Sequence, residues 1–237
     1  MRENMIIKSI GMLSYRIDSS RYIGKRKGYG NLIRIANNIV IVTAAHCVYE
    51  IGIDRFNTNI TFSTIYGHLN DCIPIETAII HKNWGVNHKI ESDTAFLIPK
   101  KKSYDITRYY KIASSIKVNS QFNDEEIMIA FMKGIVNKRI ECINLLGNKG
   151  QVYGNKMIGI NFKGGQGLSG SPWFYHENGE WKQVTLTSSM LRSQRNMLWG
   201  PEWGKDVIEI LRYIQDKEMD DQNLMIQKIK QERRYST

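Results

Sequence analysis

Three short segments of the sequence carry side chains suited to nucleophilic catalysis. They are Val42-Thr43-Ala44-Ala45-His46-Cys47-Val48, Glu91-Ser92-Asp93-Thr94-Ala95-Phe96-Leu97 and Gly164-Gly165-Gln166-Gly167-Leu168-Ser169-Gly170-Ser171-Pro172. A serine hydroxyl is a poor nucleophile until a base takes its proton. A histidine imidazole, with an ordinary pKa of about 6.5, is neutral and basic near pH 7. Ser169, His46 and Asp93 are therefore the candidates for a nucleophile, its base and a carboxylate that orients the base.

The three segments, in the order His, Asp, Ser, resemble the trypsin/chymotrypsin-like serine protease family over about residues 5–215. The short loop before the serine and the Ser171-Pro172 pair after it look most like the bacterial glutamyl-endopeptidase branch. The resemblance implies that His46 takes the proton of Ser169, and that Asp93 holds the imidazole in the right tautomer and stabilises the imidazolium.

The resemblance also assigns the groups around the reacting carbonyl. Backbone N–H groups of Gly167 and Ser169 would form the oxyanion hole, at a turn that needs a conformation glycine permits. Lys163 falls where trypsin-like relatives carry the acidic residue of the primary specificity pocket, which favours Asp or Glu before the scissile bond. The alternative, that Lys163 faces solvent, stays open. Gln166 and Ser188 are the other candidate substrate-binding residues, Ser188 by holding the substrate backbone.

Two residues depart from the family pattern. Leu168 stands where zymogen-activated relatives have an aspartate, and it cannot pair with a newly cut N-terminal amine, so we expect no activation by N-terminal cleavage. Cys47 stands where many extracellular relatives have half of a disulfide. The expected partner position, near Gly30-Asn31, has no cysteine. We therefore expect Cys47 to be a free, buried thiol.

The elements that must position these residues are mostly β-strands. Short apolar runs rich in β-branched residues alternate with turn residues in both halves of the chain. We interpret Gly28–Asn31 as a turn in the first half and Asn178-Gly179 as a hairpin turn in the second. The polar stretch Lys100–Thr107 is interpreted as a linker between the halves.

The C-terminal part has a different pattern. From Lys205 to about Lys217 the apolar residues fall at helical spacing, which predicts a helix with one apolar face. Leu224, Met225 and Ile229 predict a second helical piece before a charged tail. A helix that caps the fold and a helix that docks a partner are both compatible with this pattern.

Pattern and resemblance together predict an all-β fold of two six-stranded antiparallel β-barrels with a C-terminal α-helix. Residues 1–105 would form the first barrel and carry His46 and Asp93. Residues 106–200 would form the second barrel and carry Ser169, and residues 201–237 would supply the helix and the tail.

The composition bounds the partners and the setting. The 237 residues include 33 Lys+Arg and 23 Asp+Glu, a net charge of +10, in short clusters that are not interleaved with aromatic residues. We therefore expect a protein or peptide substrate rather than nucleic acid. No apolar stretch approaches the length of a membrane span. An odd number of cysteines, 3, and an N-terminus unlike a signal peptide favour a cytoplasmic location. Metal-ligand and phosphate-binding motifs are missing, so we expect no cofactor.

The sequence thus predicts a serine endopeptidase that works through an acyl-enzyme. Because unrestrained cleavage would harm the cell that makes it, we expect narrow specificity or gating by a regulatory protein that binds the C-terminal helix. Bacterial stress or anti-phage defence is one such setting. Two alternatives stay open: a catalytically silent binding module with a protease fold, and a viral protease that processes a polyprotein.

Overall fold

The computed structural model describes residues 8–18, 23–64, 72–100, 106–119, 127–133, 139–145, 151–153, 156–162, 167–189, 196–216 and 220–231. These ranges are mostly β-structure, as predicted. Their α-helices are α1 (Lys82–Gly85), α2 (Ile106–Ile112) and α3 (Lys205–Gln215). None of the described helices has the length and apolar character that crossing a membrane requires.

The first half of the chain forms a closed six-stranded antiparallel barrel, which confirms the first of the two predicted barrels. Its strands, with a separate short pair, are β1 (Ile10–Asp18), β2 (Ile23–Ile35), β3 (Asn38–Thr43), β4 (Tyr49–Glu50), β5 (Arg55–Phe56), β6 (Thr58–Thr64), β7 (Ile73–His81) and β8 (Ala95–Pro99). The ring order is β1-β2-β3-β8-β7-β6, and the pairing of β1 with β6 closes it, while β4 and β5 pair apart from it. Along β6, Ile60 and Phe62 alternate with more exposed residues and face the core, as period-two burial requires.

The interpretation of Gly28–Asn31 as a turn is wrong, because this stretch lies inside the long strand β2. Its glycines leave room for side chains of neighbouring elements. A Cβ at Gly28 would lie 2.9 Å from the Sγ of Cys47, and a Cβ at Gly30 would lie 2.8 Å from the Cγ2 of Ile41. Glycine within a strand often marks such a close approach, which sequence alone does not separate from a turn.

The second half forms two sheets in the described residues, from the strands β9 (Ser115–Ile116), β10 (Ile127–Lys133), β11 (Arg139–Leu145), β12 (Gln151–Tyr153), β13 (Met157–Asn161), β14 (Pro172–Glu177), β15 (Glu180–Leu186) and β16 (Met197–Pro201). Their orders are β11-β10-β14-β15-β9 and β12-β13-β16, and the strands pair antiparallel except β9 with β15. A closed second barrel stays a prediction, as does the division of the chain at residues 105 and 200. The predicted hairpin is present, with φ of 51° at Asn178 and 76° at Gly179.

Helix α3 lies where the apolar spacing predicted a helix. It buries Val207, Ile210 and Ile214, and these side chains join the core cluster of the first barrel. The apolar face therefore caps the barrel rather than standing open to solvent.

The predicted second helical piece is wrong, because Leu224–Lys228 form a strand, β17, that pairs antiparallel with β7. Strand β7 pairs with β6 only through Ile73 and Pro74, so its remaining length on that side lacks a neighbour within the ring. Strand β17 supplies the missing backbone partners there. A short isolated helix is only marginally stable, so in this segment pairing with the open edge of β7 is more favourable than forming a helix.

A buried hydrogen-bond network joins the two halves. Asn31 on β2 is fully buried, and its amide nitrogen donates to the hydroxyl of Ser114 at 2.6 Å and to the Oε1 of Gln183 at 2.8 Å. The hydroxyl of Ser9 donates to the Oδ1 of Asn31 at 2.5 Å. Barrel, connecting segment and the second-half strand β15 are thus tied at one point.

Candidate active site

His46 lies in a one-turn 3-10 helix, Ala45–Cys47, that follows strand β3. Residues 39–45 before it are buried, which fixes where the turn begins. The backbone N–H of His46 donates to the Oδ1 of Asp93 at 2.9 Å. Its side chain is 32% exposed, so the imidazole borders solvent on one side.

Asp93 lies between the 3-10 turn Ile90–Ser92 and strand β8, and it is 1% exposed. Besides the backbone contact, its Oδ2 lies 2.8 Å from the Nδ1 of His46 and accepts a hydrogen bond from the hydroxyl of Ser188 at 2.5 Å. A carboxylate accepts only, so Nδ1 carries a proton and Nε2 of His46 is left as the basic nitrogen.

Asp93 and His46 shift each other's pKa toward the charged form. Burial alone would raise the pKa of Asp93, but the His46 charge and the hydrogen bonds from His46 and Ser188 outweigh it and lower that pKa. Burial likewise works to lower the pKa of His46, but the Asp93 carboxylate and the adjacent Cys47 sulfur raise it well above its ordinary value. Asp93 therefore stabilises the imidazolium that forms when His46 takes a proton.

Ser169 lies in a tight loop held by both halves of the chain. Its carbonyl accepts from the backbone N–H of Tyr29 on β2 at 2.8 Å, and the next residue, Gly170, donates to the carbonyl of Thr187 at 2.8 Å. Gly170 has φ of 81°, and a Cβ there would lie 2.1 Å from the Tyr29 carbonyl oxygen. Only glycine meets both conditions, so this loop can seat against β2 only with glycine after the serine.

These contacts bring the three predicted residues to one place. The carbonyl of Ser169 and the Sγ of Cys47 both border Gly28, so the serine loop lies against the turn that carries His46. Thr187, which anchors Gly170, adjoins Ser188, which contacts Asp93. Among the described residues, no hydrogen bond joins the Ser169 hydroxyl to the His46 ring. Such bonds often form only when substrate is bound.

The backbone around the predicted oxyanion hole has a matching conformation. Gly167 has φ of 97°, in the region that favours glycine, and it has open space where a Cβ would stand. Within the described part of the chain, the N–H groups of Gly167 and Ser169 donate to no backbone acceptor. Their role as oxyanion-hole donors stays a prediction.

Other predicted positions have different outcomes. Lys163 and Gln166 lie outside the described residues. Ser188 contacts Asp93, a contact that sequence spacing could not indicate.

Cys47 is free and buried, as expected. The position beside its sulfur is Gly28, two residues before the expected Gly30-Asn31, on the strand β2.

Comparisons with known proteins concern the fold. No family model and no curated protein matches the sequence. Among solved structures, the thermostable serine protease AL20 from an extremophilic microorganism has a TM-score of 0.73 at 19% identity, covering 89% of this chain and 98% of that one. A Glu endopeptidase has a TM-score of 0.65 at 15% identity, covering 88% and 90%. Tobacco etch virus protease, complexed with product, has a TM-score of 0.60 at 13% identity, covering 95% and 82%. The chain has the chymotrypsin-like serine protease fold that its motifs predicted.

Proposed function

We propose that the protein is a serine endopeptidase in which Ser169 is the nucleophile, His46 the general base and Asp93 the carboxylate that orients it. The observation that carries this proposal is the 2.8 Å contact between the Nδ1 of His46 and the Oδ2 of Asp93. It fixes the tautomer in which Nε2 accepts a proton.

In the proposed reaction, the Ser169 Oγ attacks the peptide carbonyl carbon and its proton passes to the Nε2 of His46. The imidazolium then gives that proton to the leaving amine, and an acyl ester remains on Ser169. A water molecule, deprotonated by the same nitrogen, hydrolyses the ester and restores the serine. The N–H groups of Gly167 and Ser169 stabilise the oxyanion of both steps, where one donor is typically worth about 2.7–4 kcal/mol.

A fluorophosphonate probe tests this proposal, because it labels only serines that a base activates. We expect wild type to be labelled and Ser169→Ala to be unlabelled. Ser171→Ala is the matched control: its hydroxyl is fully buried and has no hydrogen-bond partner in the described part of the chain, so labelling should persist. If wild type and Ser169→Ala are equally labelled or equally unlabelled, the proposed nucleophile is wrong.

For specificity we propose a preference for Asp or Glu before the scissile bond, set by Lys163. The net charge of +10 also favours acidic substrates, and a Glu endopeptidase is among the proteins of similar fold. In a peptide library, Lys163→Glu should lower the ratio of the cleavage rate on acidic peptides to the rate on neutral peptides by at least about 10-fold. Lys205→Glu, at a side chain that is 85% exposed, makes the same charge change elsewhere and should leave the preference intact. An unchanged preference in Lys163→Glu would contradict the assignment.

We also propose that activity is restrained by narrow specificity or by a partner protein. Leu168 supports this because it cannot take part in activation by a new N-terminus. A partner of α3 would have to bind its outer side, around Arg212, since the apolar side is covered by the barrel. The cytoplasmic setting and a role in bacterial stress or anti-phage defence stay predictions from the sequence.

A viral polyprotein-processing protease is a second candidate, and the similarity to tobacco etch virus protease over 95% of this chain favours it. Fusing reporter proteins to both ends tests this candidate. Release of a reporter by wild type but not by Ser169→Ala would support it.

The third candidate is a catalytically silent binding module. It would be favoured if the probe leaves wild type unlabelled and if wild type binds nucleic acid with a steep salt dependence that Ser169→Ala does not change.

A further inference from the structure

Asp93 is the central residue of a tight turn. Its φ of −70° and ψ of 61° are those of an inverse γ-turn, and the N–H of Thr94 donates to the carbonyl of Ser92 at 2.7 Å across it. One bent hydrogen bond fixes such a turn only weakly. The direction of the Asp93 side chain therefore depends on what holds the two outer residues of the turn.

Both outer residues are held from α3 and the residues just before it. The hydroxyl of Ser92 donates to the Oδ2 of Asp206 at 2.6 Å, and the indole N–H of Trp203 donates to the Oγ1 of Thr94 at 3.0 Å. Ser92, Thr94 and Trp203 are buried, at 5%, 2% and 2% exposure. Hydrogen bonds shielded from water are worth more than exposed ones. The Trp203–Thr94 bond is fully shielded, whereas the Asp206 side chain is 26% exposed, and the two bonds together connect both sides of the turn to α3 and the residues before it.

Asp206 is itself fixed on its far side. Both of its carboxylate oxygens accept from the side-chain amide of Asn83, at 2.9 and 3.1 Å. It also lies in the first turn of α3, where the helix dipole favours a negative charge. The Asp206 carboxylate is therefore fixed in place, and a shift of the turn would break its hydrogen bond with Ser92.

A second contact fastens the helix one turn further on. The N–H of Asn83 donates to the Nδ1 of His81 at 3.1 Å, so the ring proton lies on Nε2 and faces the Oε2 of Glu209 at 3.1 Å. Glu209 also accepts from Asn223 at 3.1 Å. The Nδ1 of His81 also lies 3.4 Å from the Oδ2 of Asp206, but within the described hydrogen bonds neither His81 nor Glu209 bonds to a residue of the turn around Asp93.

We propose that Asp206 and Trp203 are positioning residues for Asp93, which hold its turn where the carboxylate meets the imidazole of His46. This inference rests on the proposed function for its kinetic consequence. Its structural consequence, the strength of the Asp93–His46 contact, does not depend on catalysis.

The test compares Ser92→Ala, Asp206→Ala and Trp203→Phe with Glu209→Ala as the matched control on the same helix. In the first three we expect kcat to fall about 10- to 100-fold with KM within about twofold, because a small misplacement of a catalytic group has that cost. Glu209→Ala should lower the melting temperature and leave kcat near wild type. The double variant Ser92→Ala/Asp206→Ala should lose no more than Asp206→Ala, since the two residues share one hydrogen bond.

A second readout follows the titration of His46 by NMR in the Ser169→Ala background. The described groups that act on His46 are Asp93 and Cys47, and every variant keeps both. Because Asp93 raises the pKa of His46, a displaced turn should lower the titration midpoint by about 0.5 pH unit or more. Ser92→Ala is decisive, since it breaks the hydrogen bond and keeps the Asp206 charge, whereas Asp206→Ala removes both.

The proposal is overturned if Ser92→Ala and Trp203→Phe leave kcat and the His46 midpoint unchanged. If Asp206→Ala does not fold, these two milder variants still decide. If wild type has neither peptidase activity nor probe labelling, the proposed function fails, and the NMR midpoint alone judges the positioning role.

Discussion

At the residue scale, the charge on Asp93 depends on its neighbours. The side chain is 1% exposed, and it remains ionised because His46 and Ser188 donate to it. An uncompensated buried carboxylate would instead take up a proton. The sequence motifs predicted His46 and Asp93 as candidates and gave Ser188 a substrate-binding role. The contact of Ser188 with Asp93 was not predicted, because residues far apart in the chain carry no signal of their separation in space.

Asp93→Asn should lower kcat by about 10³- to 10⁴-fold, because the amide can hold the imidazole in the wrong tautomer. The Asp93 carboxylate raises the pKa of His46, so its loss should lower that pKa. His46 must be neutral to act as a base, and the acid limb of kcat/KM should therefore move to lower pH. The measurement is the pH profile of kcat/KM on a peptide substrate.

The matched control for that profile is Asp220→Asn, which makes the same charge change at an exposed residue whose carboxylate, within the described residues, bonds to the N–H of Gln222 alone. Its acid limb should coincide with that of wild type. An unmoved limb in Asp93→Asn would mean that His46 is not the group that titrates.

At the element scale, β2 and the turn that carries His46 approach each other at Gly28. A Cβ placed there would lie 3.8 Å from the Cβ of Cys47, which is the mean separation in disulfides. Gly28→Cys should therefore form a disulfide with Cys47 under oxidising conditions. Closing a loop of about 20 residues should add about 3 kcal/mol to the free energy of unfolding.

Two comparisons check this disulfide prediction. Reduction should remove the gain in stability, and Gly28→Ala, which adds the Cβ without the sulfur, should show no redox dependence. Because the new Cβ would lie 3.2 Å from the carbonyl oxygen of Ser169, we also expect a loss of peptidase activity in both variants. If Cys47 and the new cysteine at position 28 both react with a thiol reagent after oxidation and unfolding, the geometry is contradicted.

Strand β17 gives the second prediction at this scale. The following residues continue its contacts, since Ile229 donates to the carbonyl of Glu76 and Lys230 accepts from Asn59, both at 2.9 Å. Deleting residues 222–237 should lower the free energy of unfolding by at least about 2 kcal/mol, because it removes a whole strand and bares the edge of β7. Deleting residues 232–237 keeps β17 and is the control. Equal melting temperatures for the two deletions would contradict this role of β17.

How far elements could be predicted depended on how local their causes are. Asn178-Gly179 makes its turn through its own backbone preferences, so the hairpin prediction was right. Gly28–Asn31 and Leu224–Lys228 take their form from distant neighbours, Cys47 and strand β7. A pattern confined to a few residues cannot report such neighbours, and both of those predictions were wrong.

At the scale of the whole molecule, the network around Asn31 joins the halves. Asn31→Ala would leave the buried hydroxyls of Ser9 and Ser114 and the amide oxygen of Gln183 without this partner. Buried polar groups that lose their partners cost about 1–3 kcal/mol each. We expect the free energy of unfolding to fall by about 2–4 kcal/mol in denaturant titrations.

Asn87→Ala is the control for the network, because that amide is exposed and contacts only Asn83 within the described hydrogen bonds. Its effect should stay within about 0.5 kcal/mol. A cost below about 1 kcal/mol for Asn31→Ala would show that water or repacking replaces the lost bonds.

Strand β17 also bears on how the protein is made. Strand β7 is completed by residue 81, yet the strand that covers it comes more than 140 residues later. Trp203 and Asp206, which hold the turn around Asp93, are equally late in translation. A ribosome that stops early would release a chain that contains His46, Asp93 and Ser169 but lacks the strand that completes the sheet. Such truncated products would be poorly folded, so the proposed peptidase activity would arise only once the last part of the described chain has been made.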